Sequence, residues 1–341
     1  MMHWRGWARA CAVWMGLAAL TGVQAQTAAP VPARRIAMTI DDLPWQRIDK
    51  TPPDQLGDWH RQLMQQLRQA GVPVTGFVNE GKLQGAAAGQ ALPATEGTVP
   101  PERVAMLRDW LDAGFDLGNH TWGHVGLSQT PLAEYQQQIL RGEHVLRPLL
   151  AEYGRTPRWF RHPYLQAGTT PELRAQLHDF LSAHGYAIAP VTVDNGEWVW
   201  AFAYARVLES QPPGPERQAT LLRLRKGYVP YMLNKLDYFE QQSIKLLGRN
   251  VAQTWLLHAN ELNAVSYADL VAATRRRGYR FITLDQAMQD PAYQRPDGYT
   301  GRYGVSWLHR WAMAEHRPKD FYAGEPVVPR WVMELAGVES E

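Results

Sequence analysis

The chain has 341 residues, of which 45% are hydrophobic and 20% charged, and this composition excludes disordered, collagen-like and coiled-coil chains. The length allows two or three domains or one large α/β barrel. Lysine and arginine total 35 and aspartate and glutamate total 33, so the net charge of +2 favours neither nucleic acid nor an anionic membrane as a partner.

The first 25 residues have the pattern of a secretory signal peptide. Arg5 and Arg9 precede an apolar stretch near residues 10–20, and residues 23–25 form a small-x-small cleavage signal. The apolar stretch is shorter than the ~20 residues that a spanning helix needs, which argues against a membrane anchor. We expect export to the periplasm or outside the cell, with no transmembrane segment in the mature chain. Cleavage would also remove Cys11, the only cysteine.

Strand and helix patterns alternate along the rest of the chain after a linker at 26–34. Strands are predicted at 35–40, 72–78, 115–118, 159–161, 186–193, 254–257 and 279–284, and helices at 56–70, 103–113, 131–153, 171–184, 216–247 and 267–277. The helix at 216–247 is expected to break near 227–230. This alternation predicts a parallel sheet, open or closed as a barrel, within one domain at 35–290. We expect the aromatic-rich extension at 291–341 to pack on that barrel.

Side chains able to do chemistry follow the predicted strands. They are Asp41 with Asp42, His120 with His124, Arg161, Asp194 and His258. Active sites of parallel α/β folds collect at the carboxyl ends of the strands, so these groups are expected to share one site.

A pair of histidines and a pair of acids indicate a metal site. His120 and His124 are four residues apart, so both rings meet on one face if the segment makes a helical turn. Either Asp41 or Asp42 would complete a three-ligand site with open positions, which fits hydrolytic Zn²⁺ and other first-row ions. Adjacent acids on one strand are a poor glycosidase pair, because their side chains point to opposite faces. One metal ligand and one base are the better interpretation.

These residues resemble five motifs of the polysaccharide deacetylases, also called the NodB-homology or carbohydrate esterase family 4 group. The segments, in the family's order, are TIDD (39–42), NHTWGH (119–124), RHPY (161–164), DNGEW (194–198) and LLH (256–258). The resemblance covers roughly residues 35–284. It implies a distorted (β/α)₇ barrel of the NodB-homology type. It also implies metal-dependent removal of N- or O-acetyl groups from a carbohydrate.

The resemblance further implies a metal centre and a base. Asp42, His120 and His124 would hold one divalent ion, with Zn²⁺ expected and Co²⁺, Mn²⁺ or Ni²⁺ as alternatives. Asp41 would be the general base, and Arg161 would pair with Asp41 and keep it charged and oriented.

The resemblance also implies groups for the substrate and the leaving group. The backbone N–H of Tyr164 would help to stabilise the oxyanion, and Tyr164 and Trp198 would line the substrate site. His258 would be the general acid, with Asp194 as its carboxylate partner.

The chain departs from the family pattern in three places. His162 and Leu165 occupy positions in the third motif where the family often has proline and glycine. The insert near 210–250 and the loop at 85–101 are long, and they put the substrate in question rather than the reaction. Two alternatives stay open. One is a hydrolase of the same fold that acts on a small amide, imide or ureide; the other is a catalytically silent carbohydrate-binding protein.

Overall fold

In the computed structural model, which describes Met1, His3, residues 34–93 and residues 97–340, seven strands form one parallel sheet. They are β1 (Arg35–Leu43), β2 (Val74–Val78), β3 (Asp116–Asn119), β4 (Trp159–Phe160), β5 (Ala187–Ile188), β6 (Gln253–His258) and β7 (Arg280–Phe281). The order is β5-β4-β3-β2-β1-β6, and β7 pairs with the start of β1. Because every pair is parallel, the carboxyl ends of the strands lie at one edge.

The two edges of the sheet meet just after β5. Val193 pairs in parallel with Trp255 of β6, and the backbone N–H groups of Thr192 and Val193 donate to the carbonyl of Thr254 at 3.1 and 3.0 Å. The sheet therefore curls on itself with a short and irregular seam. The predicted fold class, a distorted (β/α)₇ barrel, is confirmed.

Helices surround this sheet. They are α1 (Pro53–Ala70), α2 (Glu80–Leu83), α3 (Pro101–Asp112), α4 (Leu132–Arg141), α5 (Leu146–Glu152), α6 (Pro171–Ala183), α7 (Glu197–Ser210), α8 (Pro215–Leu247), α9 (Asn263–Arg276), α10 (Leu284–Ala287), α11 (Trp307–Ala314) and α12 (Arg330–Ala336). Short 3₁₀ turns occur at Pro163–Leu165, Pro291–Gln294 and Lys319–Tyr322. Among the described residues, the helices are too short or too polar to cross a membrane.

The insert differs from its prediction. α8 is one continuous helix of 33 residues, so the predicted break near 227–230 is wrong. Pro230 lies inside the helix, and a Cβ on Gly227 would come within 2.7 Å of the Trp200 ring. Burial of Tyr228 and its neighbours against the core outweighs the low helix propensity of glycine and proline.

Two other helical segments also differ from prediction. α7 was not predicted, because the segment 197–210 is apolar on nearly all sides and shows no helical period; most of it is buried. The single helix predicted at 131–153 is two helices, α4 and α5. Between them Gly142 lies so close to the carbonyl carbon of Thr121 that a Cβ would be 2.8 Å away.

The C-terminal extension contacts the barrel near the carboxyl ends of the strands. The backbone N–H of Trp307 donates to the carbonyl of Val191 at 2.8 Å. Arg310 donates to the carbonyl of Leu165 and to Asp297 Oδ2, the latter at 3.0 Å. The extension thereby supports the loop that carries the third motif.

Candidate active site

The strand-end residues converge at one edge of the sheet. Asp41 and Asp42 lie near the end of β1, and Asp41 lies directly opposite His258 at the end of β6. Several site residues have positive φ angles, which non-glycine residues rarely adopt: Asp42 at 69°, Thr121 at 67°, His124 at 51° and Tyr164 at 53°. Strained backbone of this kind persists where the surrounding structure demands it, and it clusters at functional sites.

Asp42, His120 and His124 form a buried cluster. One ligand atom from each lies within 4.8 Å of the others. His120 Nδ1 donates to the carbonyl of Arg161 at 2.8 Å, which leaves its Nε2 free to bind an ion. Asp42 Oδ1 and His124 Nδ1 are buried and make no hydrogen bond to the described residues. This set of one carboxylate and two imidazoles, with buried ligand atoms that lack hydrogen-bond partners, fits a first-row divalent ion.

The protonation states of these three residues suit metal binding. Burial lowers the pKa of His120 well below its usual value and that of His124 to about 4, so both rings are neutral at neutral pH. Burial alone would raise the pKa of Asp42, but the nearby Lys82 and histidines outweigh it and hold the pKa well below its ordinary range. A divalent ion needs these forms, neutral imidazole and ionised carboxylate.

Lys82 is a member of the site that the sequence analysis missed. This buried lysine on α2 places its Nζ 3.4 Å from Asp42 Oδ1 and donates to the carbonyl of Gln46 at 2.7 Å. A single lysine after a predicted strand has no distinctive spacing, so the sequence carries no signal for this contact.

Asp41 lies beside the cluster and pairs with Arg161. Arg161 Nη1 is 3.3 Å from Asp41 Oδ2, and its Nη2 donates to Thr39 Oγ1 at 3.0 Å. Both partners are buried. Burial raises the pKa of Asp41 to about 6, while Arg161 and His258 oppose that rise. A carboxylate with a pKa near the working pH is suited to accept a proton.

His258 is paired with Glu197. Its Nδ1 donates to Glu197 Oε2 at 2.5 Å, so its Nε2 is the nitrogen left for a substrate. Burial lowers the pKa of His258, but Glu197, with Asp42 and Asp41 adding to it, outweighs burial and raises the pKa to about 9. The ring is therefore cationic at neutral pH and able to donate a proton.

The prediction that Asp194 is the carboxylate partner of His258 is corrected by this contact. α7 begins at Glu197, so Glu197, three residues further on, is directed toward His258. Asp194 instead accepts a hydrogen bond from the backbone N–H of Asn195 at 2.8 Å. Burial raises the pKa of Asp194 to about 6, although Lys235 on α8 opposes that rise. Lys235 itself forms an ion pair with Glu325 at 2.7 Å.

Of the remaining predicted residues, Tyr164 is in contact with the cluster. The Tyr164 ring packs edge-on against His124 with centroids 4.5 Å apart, and 49% of Tyr164 is exposed. Trp198 follows Glu197 on α7, and its ring packs against Phe202 at 5.5 Å. His162 is buried against Phe160, and burial lowers its pKa to about 3.

The geometry brings a potential base and a potential acid to the same ion site. Asp41 is a proton acceptor beside the cluster. His258, which lies opposite Asp41 on the neighbouring strand, is a cationic proton donor. Hydrolysis of an amide or ester needs both, one for the attacking water and one for the leaving group.

Comparison with known proteins agrees with the motifs. The family model described as polysaccharide deacetylase matches residues 28–183, the part that holds the first three motifs. This match confirms the resemblance to polysaccharide deacetylases. No curated protein matches the chain.

Solved structures similar to the chain share low sequence identity with it, as three of them show. The peptidoglycan deacetylase PdaC from Bacillus subtilis is 18% identical over 76% of this chain and 91% of that chain, with a TM-score of 0.43. A family 4 carbohydrate esterase from Streptomyces lividans in complex with acetate is 16% identical over 75% and 96%, with a TM-score of 0.43. A CE4 family pseudoenzyme from Bacillus anthracis is 13% identical over 75% and 66%, with a TM-score of 0.44. At TM-scores below 0.5 these alignments do not bear on activity.

Proposed function

We propose that this chain, a relative of the polysaccharide deacetylases over residues 28–183, is an exported metal-dependent hydrolase that removes acetyl groups from a carbohydrate. The observation that carries the proposal is the buried Asp42–His120–His124 cluster with Asp41 and His258 beside it. The signal-peptide pattern at 1–25 supports export to the periplasm or the exterior. That segment lies outside the described residues, apart from Met1 and His3.

Asp42, His120 and His124 would hold the divalent ion, for which Zn²⁺ is our first choice because the donor set is one carboxylate and two imidazoles. When bound, such an ion polarises the acetyl carbonyl and makes water more acidic. Both histidines are neutral at neutral pH, so no proton must leave an imidazole before the ion binds.

The chain's own residues would carry out the proton transfers. Asp41, oriented by Arg161, accepts a proton from the water that attacks the acetyl carbon. The backbone N–H of Tyr164 donates to the oxygen that becomes negative in the transition state. His258, cationic because of Glu197, then gives its Nε2 proton to the departing nitrogen or oxygen. The products are acetate and the free amine or alcohol of the sugar.

Residues around the site bear on two further parts of the proposal. One is the wall of the sugar site, and the other is the division into a catalytic domain at 35–290 and an extension at 291–341. Tyr164, which is half-exposed, and Trp198 are the proposed wall for a sugar ring, because aromatic faces pack well on the apolar face of a sugar. The extension holds the Tyr164 loop through Arg310, so it would support the oxyanion group rather than act as a separate module.

Metal content and acetate release, measured together, test the proposal. The purified chain should retain one divalent ion after dialysis and release acetate from acetylated chito-oligosaccharides, xylan or peptidoglycan. His124→Ala should lose both the ion and the activity. His178→Ala, which removes an exposed histidine on α6, is the matched control and should lose neither.

Two results would contradict the proposal. Full metal occupancy in His124→Ala would refute the ligand set. A metal-loaded wild-type chain that releases no acetate from any of these glycans would refute the carbohydrate substrate. Turnover of small amides, imides or ureides by that chain would favour the alternative hydrolase, and glycan binding without turnover would favour a silent binding protein.

A further inference from the structure

The carboxylate of Glu197 is completely enclosed by hydrogen-bond donors. Its Oε2 accepts from His258 Nδ1 at 2.5 Å. Its Oε1 accepts from Asn260 Nδ2 at 2.7 Å and from Asn263 Nδ2 at 2.6 Å. Glu197 has no solvent-exposed surface, and both asparagines are buried. Because burying a carboxylate is costly unless it is well hydrogen-bonded, these two amides are what the pair with His258 requires.

The orientation of both amides is itself determined by other contacts. An asparagine side chain can present either its oxygen or its NH₂ group to a neighbour. The oxygen of Asn263 accepts from Tyr228 Oη at 2.8 Å, and the oxygen of Asn260 accepts from the backbone N–H of Asn263 at 2.9 Å. Both NH₂ groups must therefore face Glu197. Asn263 Nδ2 also donates to the carbonyl of His258 at 2.9 Å, which ties the same amide to the acid's own backbone.

We propose that Asn263, oriented by Tyr228, is a positioning residue that acts through Glu197 to keep His258 a proton donor. The inference rests on the proposed function, in which His258 is the general acid. Only N–H donors face Glu197 Oε1. If the carboxylate turned away from His258, one N–H of Asn260 and one N–H of Asn263 would lose their acceptor.

Tyr228 gives the insert a role in the active site. It lies on α8, in the segment 210–250 that is long relative to the family pattern, and it is buried. Its hydroxyl reaches Asn263 at the start of α9, directly behind the end of β6. The insert thus supports His258 indirectly, through Asn263 and Glu197.

The test uses Asn263→Ala and Tyr228→Phe, each in the wild-type and in the Glu197→Gln background. Two substrates are compared, an N-acetyl sugar and an aryl acetate whose leaving group departs without protonation. Asn263→Ala should lower kcat/KM for the N-acetyl sugar by about 10–100-fold, as when the hydrogen-bond partner of a metal-ligating histidine is removed, and should affect the aryl acetate much less. Tyr228→Phe, which removes only a hydroxyl, should show the same selectivity with a smaller loss.

Three readouts separate this role from a merely structural one. The basic limb of the pH profile, and the NMR titration of the His258 ring, should move to lower pH in Asn263→Ala. In the Glu197→Gln background Asn263→Ala should cause no further selective loss, because the group through which it acts is gone. Asn234→Ala, an exposed asparagine on α8, is the control and should resemble wild type.

The inference would be overturned if Asn263→Ala lowered kcat/KM equally for both substrates and left the basic limb of the pH profile in place. It would also be overturned if the loss caused by Asn263→Ala added in full to the loss caused by Glu197→Gln. If Asn263→Ala does not fold, Tyr228→Phe decides the matter alone by the same criteria. If the wild type cleaves neither substrate, the proposed function fails. The NMR titration of His258 in the variants then still decides whether Asn263 and Tyr228 act on the Glu197–His258 pair.

Discussion

Replacing Glu197 by glutamine should make the loss of activity depend strongly on pH. Burial lowers the pKa of His258, and Glu197 is the largest of the influences that outweigh it and raise the pKa to about 9. Without the charge of Glu197 the pKa should fall toward or below the ordinary value of 6.5. A fall of roughly 2.5 units corresponds to ~3.4 kcal/mol of lost preference for the imidazolium.

The consequence for catalysis differs between two pH values. At pH 8 the cationic fraction of His258 should fall about 30-fold, from nearly complete to roughly 3%. At pH 6 it should fall by less than about 1.5-fold, because most rings are still protonated at a pKa of 6.5. Glu197→Gln should therefore lose most activity on an N-acetyl sugar at pH 8 and retain much more at pH 6. The remaining loss at pH 6 reports how far the ring is misoriented.

The assay is kcat/KM against pH for the wild type, Glu197→Gln and Asp194→Asn on the same N-acetyl sugar. Asp194→Asn is the matched control, because Asp194 lies three residues away and does not hydrogen-bond to His258 Nδ1. Asp194→Asn should leave the basic limb of the pH profile near pH 9. The reasoning would be refuted if Glu197→Gln lost activity equally at pH 6 and pH 8, or if Asp194→Asn rather than Glu197→Gln moved the basic limb.

Three further variants test other parts of the site. Asp41→Asn should keep the metal but lose about 10²–10⁴-fold in kcat, since an amide cannot accept the proton; near-normal turnover would place the base elsewhere. Gly304→Ala should lower both thermal stability and activity, because the added Cβ would lie within 1.9 Å of the Tyr164 carbonyl oxygen. Gly214→Ala is the control and should be neutral, because the Cβ added there meets open space. Lys82→Met should cost about 1–3 kcal/mol of unfolding free energy in the metal-free chain, because it leaves the buried Gln46 carbonyl without its hydrogen-bond donor. Lys226→Met, which changes an exposed lysine, is the control and should leave the melting temperature unchanged. An unchanged melting temperature in Lys82→Met would contradict the prediction.

The sequence was sufficient to place the strands along the chain and to predict that the chemical groups collect at the carboxyl ends of those strands. Short apolar runs that end in Asp41 and Asp42, or in His258, mark the carboxyl ends of parallel strands. Such ends meet in any parallel sheet. The rings of His120 and His124 do meet, with centroids 4.8 Å apart, but not through the helical turn on which that expectation depended. Residues 120–124 are not helical, and Thr121 and His124 have positive φ angles. Local periodicity was enough to place the strand ends, whereas the loop conformation brings the two rings together.

Only the tertiary structure decided which carboxylate pairs with His258. Asp194 and Glu197 both follow β5 and lie three residues apart, and no spacing rule separates them. The choice depends on where α7 begins, and α7 has no helical period because packing buries it on nearly all sides. Because that helix cannot be predicted from the sequence pattern, the sequence did not show that the Glu197 side chain points toward His258.

The supporting contacts also came from tertiary structure. Lys82, Asn263 and Tyr228 act over separations of 35 residues or more: Lys82 is in contact with Asp42, and Tyr228 with Asn263 across the insert. Side chains this far apart in sequence meet only because the sheet order and the unbroken α8 bring their elements together. Patterns within a strand or helix determine which residues face inward, whereas packing between elements determines which of those residues meet.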